Sequence, residues 1–309
     1  MSKKVLLATE KPFAKVAVEG IQKIFDAAGY QMIRLEKYTD KTDLLKAVVE
    51  ADAMIIRSDK ASAEVIAAAN KLKIIVRAGA GYDNIDLAAA TAKDICAMNT
   101  PGQNSNAVAE LAIGMMVFLA RNKYTEGNGS ELRGKKLGIH AYGNVGRLVA
   151  AIAKGFGMDV YAFDPFVKTA AMEAEGIKVF ATMEELYSNC DYISLHIPAN
   201  EKTKKSINYG LMSKMKKGAT LINTARKEVI CEDGLKKVMA EREDLKYATD
   251  IAPDCHAEIA EKFGNRYHAT KKKMGAETSE ANINAGLAAA KQIVAFLEKG
   301  DRTFQVNKS

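Results

Sequence analysis

The chain is 309 residues long and 48% hydrophobic, enough to bury one or two substantial cores, and its composition marks no disordered, fibrous or disulfide-stapled class. Its formal net charge is +7, but the lysines are scattered and no arginine-rich or aromatic-interleaved basic tract appears, which argues against nucleic acid and for small anionic metabolites. Cys96, Cys190, Cys231 and Cys255 form no C-x-x-C pair, against a zinc site or disulfides; the start lacks a signal-peptide core, and the longest apolar run, Ala107 to Ala120, contains Glu110 and is too short for a bilayer. A cytoplasmic protein with no metal, no membrane segment and no nucleic-acid partner is expected.

Val5 to Thr9 reads as a buried strand, followed by a helix from about Lys15 to Ala28 with Val16, Ile21, Ile24 and Phe25 inward and Gly29 as its stop. Gln31 to Leu35 follows as a strand, Lys41 to Glu50 as a helix, Ala53 to Arg57 as a strand, Ala61 to Asn70 as a helix and Lys73 to Arg77 as a strand. This alternation predicts a parallel sheet covered by helices. Two strand ends carry chemistry at the edge where open α/β sheets bind ligands. Arg57 and Ser58 leave a guanidinium and a hydroxyl there, and the Arg77-Ala78-Gly79-Ala80-Gly81 turn offers bare backbone N–H groups to a carboxylate.

Asn99-Thr100-Pro101-Gly102 is a turn cluster and a crossing between domains. Ser105 to Arg121 is apolar on nearly every face, which predicts a helix buried on all sides and suited to a subunit contact. Lys123 to Gly134 is the linker into the next unit.

Lys135 to Phe166 organises the chain. Leu137 to Ala141 is a strand, Tyr142 to Gly146 a glycine-spaced turn, and Val145, Leu148, Val149, Ile152 and Phe156 give a helical stripe that stops at Gly157. Met158 to Phe163 is a second strand closed by Asp164, eighteen residues after Gly146, where a dinucleotide-binding unit places the carboxylate for the adenosine ribose. Gly143 lets the backbone approach a pyrophosphate, Gly146 lets the helix sit tight on the strand, and the N–H groups of the helix start at Asn144 and Val145 face the anion. Ala141 stands where the first glycine is usual, at some cost at positive φ. Asp164 favours NAD over NADP, because a 2′-phosphate would meet a carboxylate. Tyr192 to His196 is then a strand, Glu201 to Met215 mostly helical, Thr220 to Asn223 and Leu245 to Asp250 strands, and Thr278 to Glu298 a long helix stopped by Gly300.

The stretches Arg77 to Asp86, Asn99 to Gly102 with Val108 to Ala112, Lys135 to Asp164, Leu195-His196-Ile197-Pro198 and Ile222 to Arg226 run in one order that resembles the NAD-dependent D-2-hydroxyacid dehydrogenase family, and within it the D-3-phosphoglycerate dehydrogenases. The resemblance implies an α/β protein of two doubly wound parallel-sheet domains. A Rossmann NAD-binding domain, residues 100–281, is inserted into a flavodoxin-like substrate domain of residues 1–99 plus 282–309. It also implies a homodimer through the cofactor domain and a short form without a C-terminal regulatory domain.

Within the family pattern, Arg226 is implied as the substrate arginine, with Lys227 after it where glycine is usual. Thr270 to Thr278 corresponds to the stretch that normally carries the catalytic histidine, and Lys273 stands in its place; near Asp250-Ile251-Ala252-Pro253-Asp254-Cys255 no glutamate is in register to partner it. Lys273 is therefore expected to move the proton, Lys271 and Lys272 to be surface residues, and His256 and His268 to be rivals out of register. His196, Thr224, Ala225, Asp250, Gly275 and Ala276 are implied as cofactor contacts, and Lys11, Arg57, Ser58, Gly79 and Ala80 as the site for a small anionic substrate. The implied reaction is oxidation of D-3-phosphoglycerate with NAD. Glyoxylate or hydroxypyruvate reduction, or an NAD-responsive corepressor-like role, are the alternatives.

Overall fold

The computed structural model describes residues 2–307. They form two compact units: residues up to Asn104 with those from Thr278 onward make a terminal unit, and Ser105–Glu277 make a central one.

The terminal unit begins with β1 (Lys4–Thr9), α1 (Lys15–Ala27), β2 (Gln31–Glu36), α2 (Lys41–Val48), β3 (Ala53–Ile56), α3 (Ala63–Ala68), β4 (Ile74–Arg77), α4 (Leu87–Ala92) and β5 (Cys96–Asn99). Its five strands are parallel in the order β2-β1-β3-β4-β5, the flavodoxin-like winding. The central strands are buried on both faces, which is why they read as unbroken apolar runs instead of alternating ones. In α1 the inward residues are Ala17, Val18, Ile21 and Phe25, whereas Val16 is 59% exposed. The expected inward place of Val16 is thus corrected: with Ala17 and Val18 both buried, the apolar stripe passes on its far side.

The central unit runs α5 (Ser105–Ala120), β6 (Lys136–His140), α6 (Asn144–Gly155), β7 (Asp159–Phe163), α7 (Thr169–Ala174), β8 (Lys178–Val179), α8 (Met183–Asn189), β9 (Tyr192–Leu195), α9 (Tyr209–Met212), β10 (Thr220–Asn223), α10 (Glu232–Glu241), β11 (Lys246–Thr249), α11 (His256–Phe263) and β12 (Tyr267–Ala269). Seven parallel strands lie in the order β12-β11-β10-β9-β6-β7-β8, the dinucleotide-binding winding with its reversal between β6 and β9. In α6, Gly146, Val149, Ala150 and Ala153 are buried and Phe156 is 43% exposed, so Phe156 lies outside the stripe assigned to it, beyond the last helical turn.

The segment Glu201 to Met215 is helical only over α9. Before it, Asn200 Oδ1 accepts from the backbone N–H groups of Lys202 (2.9 Å) and Thr203 (3.2 Å), while Thr203 Oγ1 donates to Pro198 O at 2.6 Å. These local side-chain bonds offer the backbone a turn in place of a helix. Helix α5 packs on α6 and buries Val108, Ala109, Ala112, Ile113, Met115, Met116, Leu119 and Ala120, but Asn106, Glu110 and Gly114 form an exposed strip, so it is not enclosed on every side.

The chain returns to the terminal unit as α12 (Ser279–Lys299), whose N-cap Thr278 accepts from Ala281 N at 3.1 Å and which stops at Gly300 with φ 68°. It packs against α1 through Ala285, Gly286, Ala289 and Ile293. The tail then runs along β5: Gln305 bridges Met98 antiparallel, Val306 N donates to Ala97 O at 2.9 Å, and the buried Asn307 side chain accepts from Ala97 N at 2.9 Å and donates to Ile95 O at 2.8 Å.

Candidate active site

At the end of β6 the chain turns into α6 at the edge where the strand order reverses. Ala141 takes φ 80°, a left-handed conformation that glycine adopts without strain and alanine does not. A Cβ placed on Gly143 would meet nothing within 4 Å, whereas one on Gly146 would lie 2.4 Å from Ala141 O and 3.0 Å from Ile139 Cγ2. Space for an anion therefore opens over the N-terminus of α6, and the helix lies too close to the turn for a side chain at 146. Asp164 braces the turn: Oδ2 accepts from Tyr142 N at 2.8 Å, and Oδ1 accepts from Phe166 N at 2.8 Å and Val167 N at 3.1 Å. A carboxylate has about four acceptor positions, so Oδ2 keeps room for a ribose hydroxyl.

Across the reversal, His196 N donates to His140 O at 2.9 Å. His140 is 4% exposed and its Nδ1 lies 3.2 Å from the hydroxyl of the buried Tyr187. Burial lowers the pKa of His140 to about 4 and that of His196, helped by His140, to about 3, so both are neutral at physiological pH. His196 Nε2 and Thr224 Oγ1 are buried without a hydrogen-bond partner among the described residues. Orphaned polar atoms at the C-terminal edge of such a sheet, beside an open glycine turn, fit a bound dinucleotide.

Lys273 sits in a polar cluster at the ends of β10 and β11. Its ammonium donates to Asp250 Oδ1 (2.9 Å) and Oδ2 (3.1 Å), to Ala225 O (3.0 Å) and to Thr224 O (3.3 Å). Asp250, at the end of β11, is fully buried, and its Oδ2 also accepts from Gly275 N at 2.8 Å. A Cβ on Gly275 would sit 2.8 Å from that oxygen. Burial lowers the Lys273 pKa, Asp250 opposes the shift and Arg226 adds to it. The loop after β10 is held by Asn223, whose Nδ2 donates to Arg226 O at 2.9 Å and whose Oδ1 accepts from Ala225 N at 3.0 Å, leaving the Arg226 side chain exposed. Lys227 pairs with Asp254 at 2.5 Å, tying this loop to the one after β11.

The remaining candidates nearby have other contacts. His256 Nδ1 lies 2.9 Å from Tyr267 Oη, and His268 packs edge-on to Phe118. Glu258 pairs with Lys262 and Lys236 on the surface, while the Cys255 thiol is pushed up to about 12 by burial and Glu232. Lys271 and Lys272 are exposed and Ala276 is half-buried beside Gly275. Among the described residues no cluster could hold a metal ion.

In the terminal unit, the Arg57 guanidinium donates to Lys11 O (3.0 Å), Pro12 O (3.1 Å) and Asn282 Oδ1, and lies over the Phe13 ring. The buried Asp59, to which no role attached in the sequence, accepts from Glu10 N (2.6 Å), Tyr38 Oη (2.8 Å) and Arg57 N (3.1 Å). Asn84 Nδ2 donates to both Arg57 O and Asp59 O. Gly79 has φ 148° and lies against the Arg77 guanidinium, and Ala80 O accepts from Asn99 Nδ2 at 2.6 Å. The strand ends that carry Lys11, Arg57, Ser58, Gly79 and Ala80 thus form one braced edge.

Residues 107–274 match the family model described as D-isomer specific 2-hydroxyacid dehydrogenase, NAD binding domain. The chain is 39% identical over 213 residues to the hydroxypyruvate reductase of Thermotoga maritima, covering 64% of this chain and 68% of that one. It is 35% identical over 267 residues to the D-3-phosphoglycerate dehydrogenase of Methanocaldococcus jannaschii, covering 82% and 51%. The chain spans about half the length of the curated D-3-phosphoglycerate dehydrogenases it matches. The crystal structure of NAD+-bound 3-phosphoglycerate dehydrogenase in Entamoeba histolytica superposes with a TM-score of 0.89 at 49% identity, over 100% of this chain and 99% of that one.

Proposed function

The chain belongs to the D-isomer specific 2-hydroxyacid dehydrogenases, and from that premise we propose that it oxidises D-3-phosphoglycerate to 3-phosphohydroxypyruvate with NAD, the entry step of a phosphorylated route to serine. The observation that carries this reading is the end-to-end similarity, at 49% identity, to an NAD+-bound 3-phosphoglycerate dehydrogenase. The glycine turn and Asp164 are compatible with NAD, and Asp164 disfavours a 2′-phosphate.

Bound NAD supplies the acceptor for the hydride leaving C2. Gly143, Asn144, Val145 and Gly146 hold its pyrophosphate at the N-terminus of α6, Asp164 its ribose, and His196, Thr224, Ala225, Gly275 and Ala276 border the reacting end. Arg226 holds the substrate carboxylate and polarises the C2 oxygen. Lys273, as the free amine, takes the hydroxyl proton and becomes the ammonium that the Thr224 and Ala225 carbonyls receive. In the reverse direction the ammonium returns that proton. Lys11 and Arg57, with Ser58 and the amides of Gly79 and Ala80, supply positive charge and donors for the phosphate and carboxylate.

Following NADH oxidation with 3-phosphohydroxypyruvate, hydroxypyruvate and glyoxylate tests this reading, which expects the phosphorylated ketoacid to give the highest kcat/KM. A second reading, hydroxypyruvate reduction, is favoured by the Thermotoga maritima relative of that name. Silence with every ketoacid would instead favour an NAD-responsive interaction protein.

We infer a homodimer through α5, supported by its exposed Gly114, whose Cβ position is open, and the half-buried Leu111, Val117 and Phe118. Light scattering of Gly114→Arg beside the parent chain checks it. The free thiols of all four cysteines agree with a reducing cytoplasm, and no helix of the described residues is long and apolar enough to cross a membrane.

A further inference from the structure

The geometry points to Asp250 as the positioning residue of Lys273, its carboxylate holding both the amine and the loop that carries it. This rests on the reading of Lys273 as the proton carrier. A carboxylate with no exposure needs strong partners, and Asp250 has two donors, both from one loop: its oxygens face Lys273 Nζ at 2.9 and 3.1 Å, and Oδ2 takes the Gly275 amide at 2.8 Å. The backbone of Asp250 is stitched on both sides as well, its N–H to Asn223 O at 3.2 Å and its carbonyl to Met274 N at 3.3 Å.

An ammonium has three N–H groups, and here they are engaged by the carboxylate, Thr224 O and Ala225 O. Lys273 is therefore anchored from the ends of two neighbouring strands, β10 and β11, with its nitrogen on the loop that bears Arg226. Asp250, Arg226 and Glu228 are the charged groups that face it, and Asp250 is the one in contact. Removing the negative charge leaves the amine in place beside Arg226 with less reason to stay protonated.

The test is Asp250→Asn, read by the pH profile of 3-phosphohydroxypyruvate reduction. The proposal expects the alkaline limb to move down by about one pH unit or more and kcat to fall roughly tenfold or more. An unmoved limb would overturn it. If that variant does not fold, thermal melts of Lys273→Met decide the pairing. Loss of the amine leaves a fully buried carboxylate without its cation and should lower the midpoint by roughly 4 °C or more at pH 8. A midpoint within about 1 °C of that of the parent chain would overturn the pairing. Normal turnover of Lys273→Met would defeat the proton-carrier reading itself, an outcome separate from the melt.

Discussion

Tyr38 donates its hydroxyl to Asp59 at 2.8 Å, joining the loop after β2 to a carboxylate that also receives the amides of Glu10 and Arg57. One buried side chain thus ties together the ends of β1, β2 and β3, and burial together with this carboxylate pushes the Tyr38 pKa upward. Asparagine can keep only part of this set, since it has one acceptor oxygen. Asp59→Asn should lose about 2 kcal/mol of stability and raise KM for the phosphorylated substrate about tenfold, with kcat little changed. Steady-state kinetics with 3-phosphohydroxypyruvate and hydroxypyruvate side by side check this; an equal rise in both KM values would show that the phosphate edge is not involved.

Lys273→Ala should lower turnover about 10²-fold or more while leaving NAD binding in place. Stopped-flow measurement of NADH formation, together with calorimetry, separates the two effects. Turnover near that of the parent chain would remove Lys273 from the proton path.

The turn before α6 gives a pair of opposite expectations. Ala141→Gly relieves the φ 80° strain, partly offset by the greater freedom of glycine in the unfolded chain, for a gain of about 0.5 kcal/mol. Gly146→Ala places a methyl 2.4 Å from Ala141 O and should cost about 2 kcal/mol or more, with loss of NAD affinity. Urea titrations of both variants against the parent measure the difference.

His140 and His196 are buried in the neutral form, with folded pKa values of about 4 and 3 against 6.5 when unfolded. Above pH 6.5 neither state binds the extra proton and their full contribution is present. Below it the unfolded chain takes up protons that the folded chain resists, so stability falls by about 1.4 kcal/mol per pH unit for each histidine until the folded pKa is reached. His140→Leu should flatten this decline between pH 6.5 and 4, as read from urea midpoints across that range. An unchanged slope would place the acid sensitivity elsewhere.

Both sheets were legible because parallel strands buried on two faces appear as short apolar runs, and Gly143, Gly146 and Asp164 keep a spacing that a bound pyrophosphate and ribose impose. Eight elements escaped notice, α4, β5, α7, β8, α8, α10, α11 and β12, among which α4 is Leu87-Ala88-Ala89-Ala90-Thr91-Ala92, almost all small, and β8 is two residues long. Val16 and Phe156 show the limit of reading a stripe, since a helix shifted by one residue exposes an apolar side chain. Lys273 stood out as a substitution within a pattern, but its carboxylate partner did not. Asp250 lies 23 residues away and meets it only because β11 ends beside the loop after β12. The Asp59–Tyr38 contact joins the loops after β3 and β2, strands that β1 separates, and the His140–Tyr187 contact joins β6 to α8, pairings that no local spacing encodes.

Asn307 and its neighbours occupy the open side of β5, an outermost strand whose residues Cys96-Ala97-Met98-Asn99 are all buried. By taking up the Ala97 amide and carbonyl, this short tail denies them to strands from other molecules. Trimming the last residues, or fusing a bulky tag directly to them, should therefore show itself as self-association during concentration or storage before it shows itself in catalysis.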